Sequence, residues 1–131
     1  MTSPSRGFRT GCLSIFFLLL TGAFSCAPVV PDTPQGVGQA FLTAYRDMDF
    51  KLAERYATDL SSMTLQFMDN VKANVEPGYV AQAKARSLSF AQVVEEGNTA
   101  QLYYTLGSND PAVLNLVREE GRWKVDFRME L

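Results

Sequence analysis

Apolar residues change their period near Arg86, and the change divides the chain into a helical part and a sheet part. From Thr33 to Val71 they recur every three or four residues, as on one face of a helix. Thr33 is a good N-cap and Pro34 suits a first helical position, so a helix is expected to start there. Its stripe is Val37, Phe41, Ala44, Tyr45 and Met48. Asp47-Met48-Asp49 reads as the break, with Asp49 capping a second helix whose stripe is Phe50, Ala53, Tyr56 and Ala57. Thr58-Asp59 is expected to end that helix. A third is expected from Ser61 or Ser62, with Met63, Phe67, Met68 and Val71 on its core side. Lys72 to Gly78 reads as a loop, and Val80 to Lys84 fits a loop, a short helix or a strand entry.

Beyond Arg86 the period is two. Leu88, Phe90 and Val94 share one face of the first strand, and Glu95-Glu96-Gly97-Asn98 is a turn. Thr99 to Leu106 sets Ala100, Leu102, Tyr104 and Leu106 against Thr99, Gln101, Tyr103 and Thr105. After a loop at Gly107 to Pro111, Val113 to Val117 is apolar at both parities, which predicts an interior strand with a partly covered outer face. Glu120-Gly121 then closes a hairpin, and Trp123, Val125 and Phe127 face the core. Short turns between sequential strands mean an antiparallel meander. Helices first and strands afterwards give an α+β domain, N-terminal amphipathic helices packed on one face of the sheet.

The first residues follow a different logic. Arg6 and Arg9 precede an apolar run, Cys12 to Leu20 (CLSIFFLLL), too short for a comfortable membrane span. Ala23-Phe24-Ser25-Cys26 follows. The segment resembles a bacterial lipoprotein signal, in which the cysteine after a small residue becomes the acylated N-terminus. A secretory leader cut after Ala23-Phe24-Ser25 fits the same residues. The expected division is a leader over 1–25, lipidated Cys26 with a Pro-rich tether over 26–33, and a folded domain over 34–131. With Pro28, Pro31 and Pro34, the tether would hold the domain roughly 25 Å from the bilayer at about 3.1 Å per residue. By resemblance to enterobacterial sorting rules, Ala27 rather than Asp after the cysteine implies the outer membrane, with the domain facing the periplasm.

Charge narrows the partners. Loss of Arg6 and Arg9 with the leader would leave 10 of the 12 basic residues against 14 acidic ones, a net charge of −4. No basic cluster remains, so nucleic acid is not an expected partner. The chain has no histidine, which removes the commonest general base and a leading metal ligand. No metal or cofactor is expected.

The stretches VGQAFLTAYRDMDFKLAERYAT, EEGNTAQLYYTL and VREEGRWKVDF together resemble the nuclear transport factor two-like (cystatin-like) superfamily. More narrowly, they resemble its small bacterial lipoproteins of uncharacterised function. The likeness runs from about Pro34 to Phe127. It implies a cone-like, curved sheet around the helices, a pocket at the wide end and a homodimer through the sheet. The function expected on this basis is a lipid-anchored, non-catalytic envelope domain binding a small apolar ligand or a protein partner. The candidate lining is Phe41, Tyr45, Tyr56, Phe67, Tyr104 and Trp123. The alternatives are an isomerase- or dehydratase-like enzyme of the same fold, or an interaction module using the outer sheet residues Gln101, Tyr103, Arg122 and Lys124. For an enzyme, Tyr45, Tyr56 and Asp47 are the nearest chemical types, and no catalytic residue is assigned.

Overall fold

The computed structural model describes residues 29–128. Cys26, the expected leader over 1–25 and Met129 to Leu131 lie outside them. Among the described residues, four helices are followed by a four-stranded antiparallel open sheet in the order β1-β2-β3-β4. The helices are α1 (Pro34–Arg46), α2 (Phe50–Glu54), α3 (Asp59–Lys72) and α4 (Pro77–Lys84). The strands are β1 (Leu88–Glu96), β2 (Thr99–Leu106), β3 (Ala112–Glu119) and β4 (Arg122–Val125).

α1 starts where its cap residues put it. Thr33 Oγ1 accepts from the Gly36 N–H at 3.0 Å, and Pro34 is the first helical residue. Val37, Phe41, Leu42 and Ala44 are buried, and the helix lies across all four strands. Gly38 permits the close approach: a Cβ there would stand 2.6 Å from Leu102 Cδ2 on β2. The sheet contributes Ala100, Leu102, Leu114, Leu116, Trp123 and Val125 to the same core, so the helices cover one face and leave the other to solvent.

The second and third helices differ from the expected boundaries. α2 stops at Glu54, and Ala57 forms a parallel bridge with Val125. Thr58 does not end a helix. It caps α3, whose first residue is Asp59, accepting from the Ser61 N–H while its own N–H donates to Val125 O at 2.9 Å. α3 also presents a different face to the core. Ser61 and Leu65 are buried and Met68 packs beside them, whereas Met63, Phe67 and Val71 are exposed. The cause is a tertiary bond: the Phe127 N–H donates to Ser61 Oγ at 2.8 Å, which fixes the rotation of the helix. Pro77-Gly78, expected in a loop, instead opens α4, with Pro77 in the first-turn position.

The meander is regular except in β1. A bulge between Phe90 and Gln92 flips the parity, so Val93 lies opposite Leu102 on the inner face and Val94 is exposed. On β3, Val117 is half-buried but Val113 is exposed, so the outer face there is less covered than its apolar parity implies. Glu119 pairs with Arg122 across the two-residue turn Glu120-Gly121, where φ is 53° and 76°. Positive φ at both positions makes it a type I′ turn. Trp123 is buried, its backbone N–H donates to Asp32 Oδ1 at 3.0 Å, and the Arg118 guanidinium lies 4.7 Å from the ring centroid. β4 ends at Val125, yet Phe127 still reaches the core, 5.7 Å from Phe41 and 5.3 Å from Tyr45 between ring centroids.

Candidate functional site

Three of the surface clefts hold four of the six candidate lining residues between them. Phe41 is fully buried and stacks on Tyr45 at 6.1 Å, so this pair fills the core. Tyr56 and Trp123 share a cleft of about 380 Å³ near Asp32. Tyr104 lines a cleft of about 880 Å³ at the end of the sheet, with Asn115, Asp126, Phe127 and Arg128. Its charged groups satisfy each other, Arg128 Nε donating to Asp126 Oδ1 at 3.2 Å. Phe67 stands apart from the other five, on a groove of about 480 Å³.

That groove is the most apolar of these surfaces. It is lined by Met48, Phe50, Phe67, Met68, Val71, Val75 and Tyr79, with Lys72 as its one charged group. Phe67, Val71 and Tyr79 are 60%, 47% and 59% exposed, an unusual concentration of large apolar groups in water. The volume falls in the range of small-molecule sites, about 300–1,000 Å³.

The α2 and α3 walls of the groove are held by identifiable bonds. α3 is tied at its N-terminus by the Thr58 and Ser61 hydroxyls, 2.8 Å apart, and by the bond from Phe127 to Ser61. α2 is capped by Asp49, whose Oδ1 accepts from the Leu52 N–H at 3.2 Å. Gln66 Nε2 donates to Glu54 Oε1 at 2.7 Å and joins the two helices. The turn between α1 and α2 is a Schellman closure, with Asp49 N–H to Ala44 O at 2.9 Å and Met48 N–H to Tyr45 O at 3.0 Å.

That closure places Met48 at φ 57°, where glycine is the usual residue. A side chain in the left-handed region costs roughly 1–2 kcal/mol. Met48 accepts the strain and its side chain forms part of the groove wall. Glycine would relax the backbone and remove that wall.

The other candidate groups have local roles. Asp47 accepts from Arg46 Nε at 3.0 Å, and Asp49 is the helix cap. Burial pushes the Tyr45 hydroxyl above its ordinary pKa of 10.0, with Arg86 opposing the rise and Tyr79 adding to it. Tyr104 is pushed up by burial and, secondarily, by Tyr45. On the outer sheet face Gln101 is exposed and accepts from the Tyr103 hydroxyl at 3.3 Å, while Lys124 lies 4.0 Å from Glu119. Among the described residues, no three of His, Cys, Asp or Glu cluster as metal ligands. No helix among them is long and apolar enough to cross a membrane.

No family model, curated protein or solved structure matches the chain. The groove residues Met48, Met68, Val71, Val75 and Tyr79 were not legible as site residues from periodicity. The signal was an excess: α3 has more apolar positions than one buried face needs.

Proposed function

We propose that this chain is a lipid-anchored, non-catalytic domain of the bacterial cell envelope. It holds an apolar partner, a small ligand or an apolar protein segment, in the groove formed by α2, α3 and α4. The groove carries the reading, because Phe67, Val71 and Tyr79 stay in water while strained Met48 supplies a wall. Apolar walls drive binding through burial, and the single cation Lys72 orients a ligand with an acidic head.

The anchor half of the proposal rests on the leader pattern that ends at Cys26, with the domain facing the periplasm from the outer membrane. The non-catalytic half draws on Asp47 and Asp49, whose carboxylates serve an ion pair and a helix cap. The cone-like, cystatin-like form of nuclear transport factor two-like proteins belongs to the same proposal. It draws support from the order of helices then meander, and from the β1 bulge, a device that bends strands.

The test uses the full chain and palmitate, whose carboxylate would meet Lys72 at the rim. Palmitate should raise the melting temperature of the wild type and leave that of Phe67→Ser unchanged. Equal shifts in both, or none in either, contradict the groove as a ligand site. For the anchor, Cys26→Ser should leave the membrane fraction, and its retention there contradicts lipidation.

A further inference from the structure

The period-two pattern of β4 outruns the strand. Charged and apolar residues alternate without a break from Arg122 to Leu131 (RWKVDFRMEL), yet β4 pairs with β3 only as far as Val125. The register of that pairing is constant, from Glu119 opposite Arg122 to Leu116 opposite Val125. Carried onward, it sets Asn115 against Asp126, Val113 against Arg128 and Ala112 against Met129. The first of these pairs is half made: the Asp126 N–H donates to Asn115 O at 2.9 Å, with no return bond from the Asn115 N–H. Beyond it the two lines part. The cleft of about 880 Å³ opens there, between Ala112 to Asn115 on one side and Asp126 to Arg128 on the other. β3 leaves hydrogen-bonding groups in that opening. In an antiparallel sheet its residues turn their backbone groups alternately to one neighbour and the other. The Arg118 N–H donates to Asn98 O beside β2, whereas Asn115 O accepts on the β4 side. Val113 has the parity of Asn115, so its N–H and C=O face the β4 line, and among the described residues neither has a partner there. Pro111, just before β3, has no N–H to donate and ends the ladder.

We propose that residues 128–130 of the same chain dock in this opening as the continuation of β4. Arg128 and Val113 then exchange both backbone bonds, and the Asn115 N–H gains Asp126 O. Met129 falls on the face of Trp123, Val125 and Phe127, opposite Ala112, whose neighbour on β2 is half-buried Tyr104. Arg128 falls on the outer face with Asp126. Its Nε already donates to Asp126 Oδ1 at 3.2 Å, and two residues apart is the spacing that extended chain puts on one side. Docking pairs an edge that is otherwise open to any extended chain. It also fills the cleft beside Tyr104 with the protein's own strand in place of a ligand.

NMR on the full chain provides the test. In the docked register Ala112 and Met129 are a non-hydrogen-bonded pair, with Cα atoms about 4.5 Å apart. A strong nuclear Overhauser contact between their Hα protons is therefore expected, with an intensity independent of protein concentration. Amide exchange at Val113 and Asn115 should be about tenfold slower in the wild type than in Arg128→Pro, which lacks the N–H that Val113 O accepts. Val117, paired with Lys124, should stay slow in both, which shows the sheet intact. Absence of the contact between Ala112 and Met129 overturns the proposal, whatever the variant does. A contact that grows with protein concentration also overturns it, by assigning the edge to a strand of a second copy. Equal exchange at Val113 and Asn115 in the two proteins, with Val117 slow in both, overturns it as well.

Discussion

Leu65 and Phe67 lie two residues apart on α3 and face opposite environments, Leu65 sealed in the core and Phe67 in solvent on the groove. Two residues on a helix are a little over half a turn apart, so the two side chains cannot share a face. The consequence for stability is opposite at the two sites. Leu65→Ala should destabilise the domain by about 2–5 kcal/mol through the lost burial and the cavity left behind. Phe67→Ser should change stability by no more than about 0.5 kcal/mol, as surface substitutions do. Denaturant midpoints of the two variants check this, and a large loss in Phe67→Ser would put that ring in the core.

Glu120 occupies the first position of the I′ turn at φ 53°, a conformation that suits asparagine, aspartate or glycine. Its side chain is exposed. Glu120→Gly should therefore raise stability by about 1 kcal/mol, the relief of left-handed strain. A melting temperature unchanged or lowered would mean that the glutamate makes a compensating contact.

Tyr45 and Tyr104 give the domain an alkaline limit. Both hydroxyls titrate above 10.0 in the folded chain because burial disfavours the phenolate. Their contribution is complete below pH 10.0. It is lost as pH rises above 10.0 toward the folded values, because the unfolded chain ionises first. Stability measured across that window should fall more steeply in the wild type than in Tyr45→Phe/Tyr104→Phe. Identical slopes would mean that these hydroxyls ionise as freely in the folded state as in the unfolded one.

Local chemistry made much of the architecture legible. Thr33-Pro34 and the stripe through Phe41 define α1, Asp49 caps α2, and strict alternation defines β2. What escaped depends on contacts distant in sequence. The rotation of α3 follows from the bond between Phe127 and Ser61, residues whose relation no local pattern encodes. With two apolar stripes on one helix, periodicity alone had no means of choosing between them. The parity of β1 after Phe90 turns on a bulge at Ala91, a residue with no turn signature. Aromatic size does not separate a core ring such as Phe41 from an exposed one such as Phe67. Met48 carried a local hint, since it stands in a helix break between two aspartates where glycine is the usual residue.

The central claim is that the groove walled by Met48, Phe67 and Tyr79 binds an apolar partner. Amide hydrogen exchange on the full chain, with and without palmitate, tests it most directly because it locates the occupant. The account predicts slower exchange from Phe67 to Tyr79, with β2 and β3 unchanged. Slowing confined to the cleft around Tyr104 and Asp126, or no slowing anywhere, would contradict it.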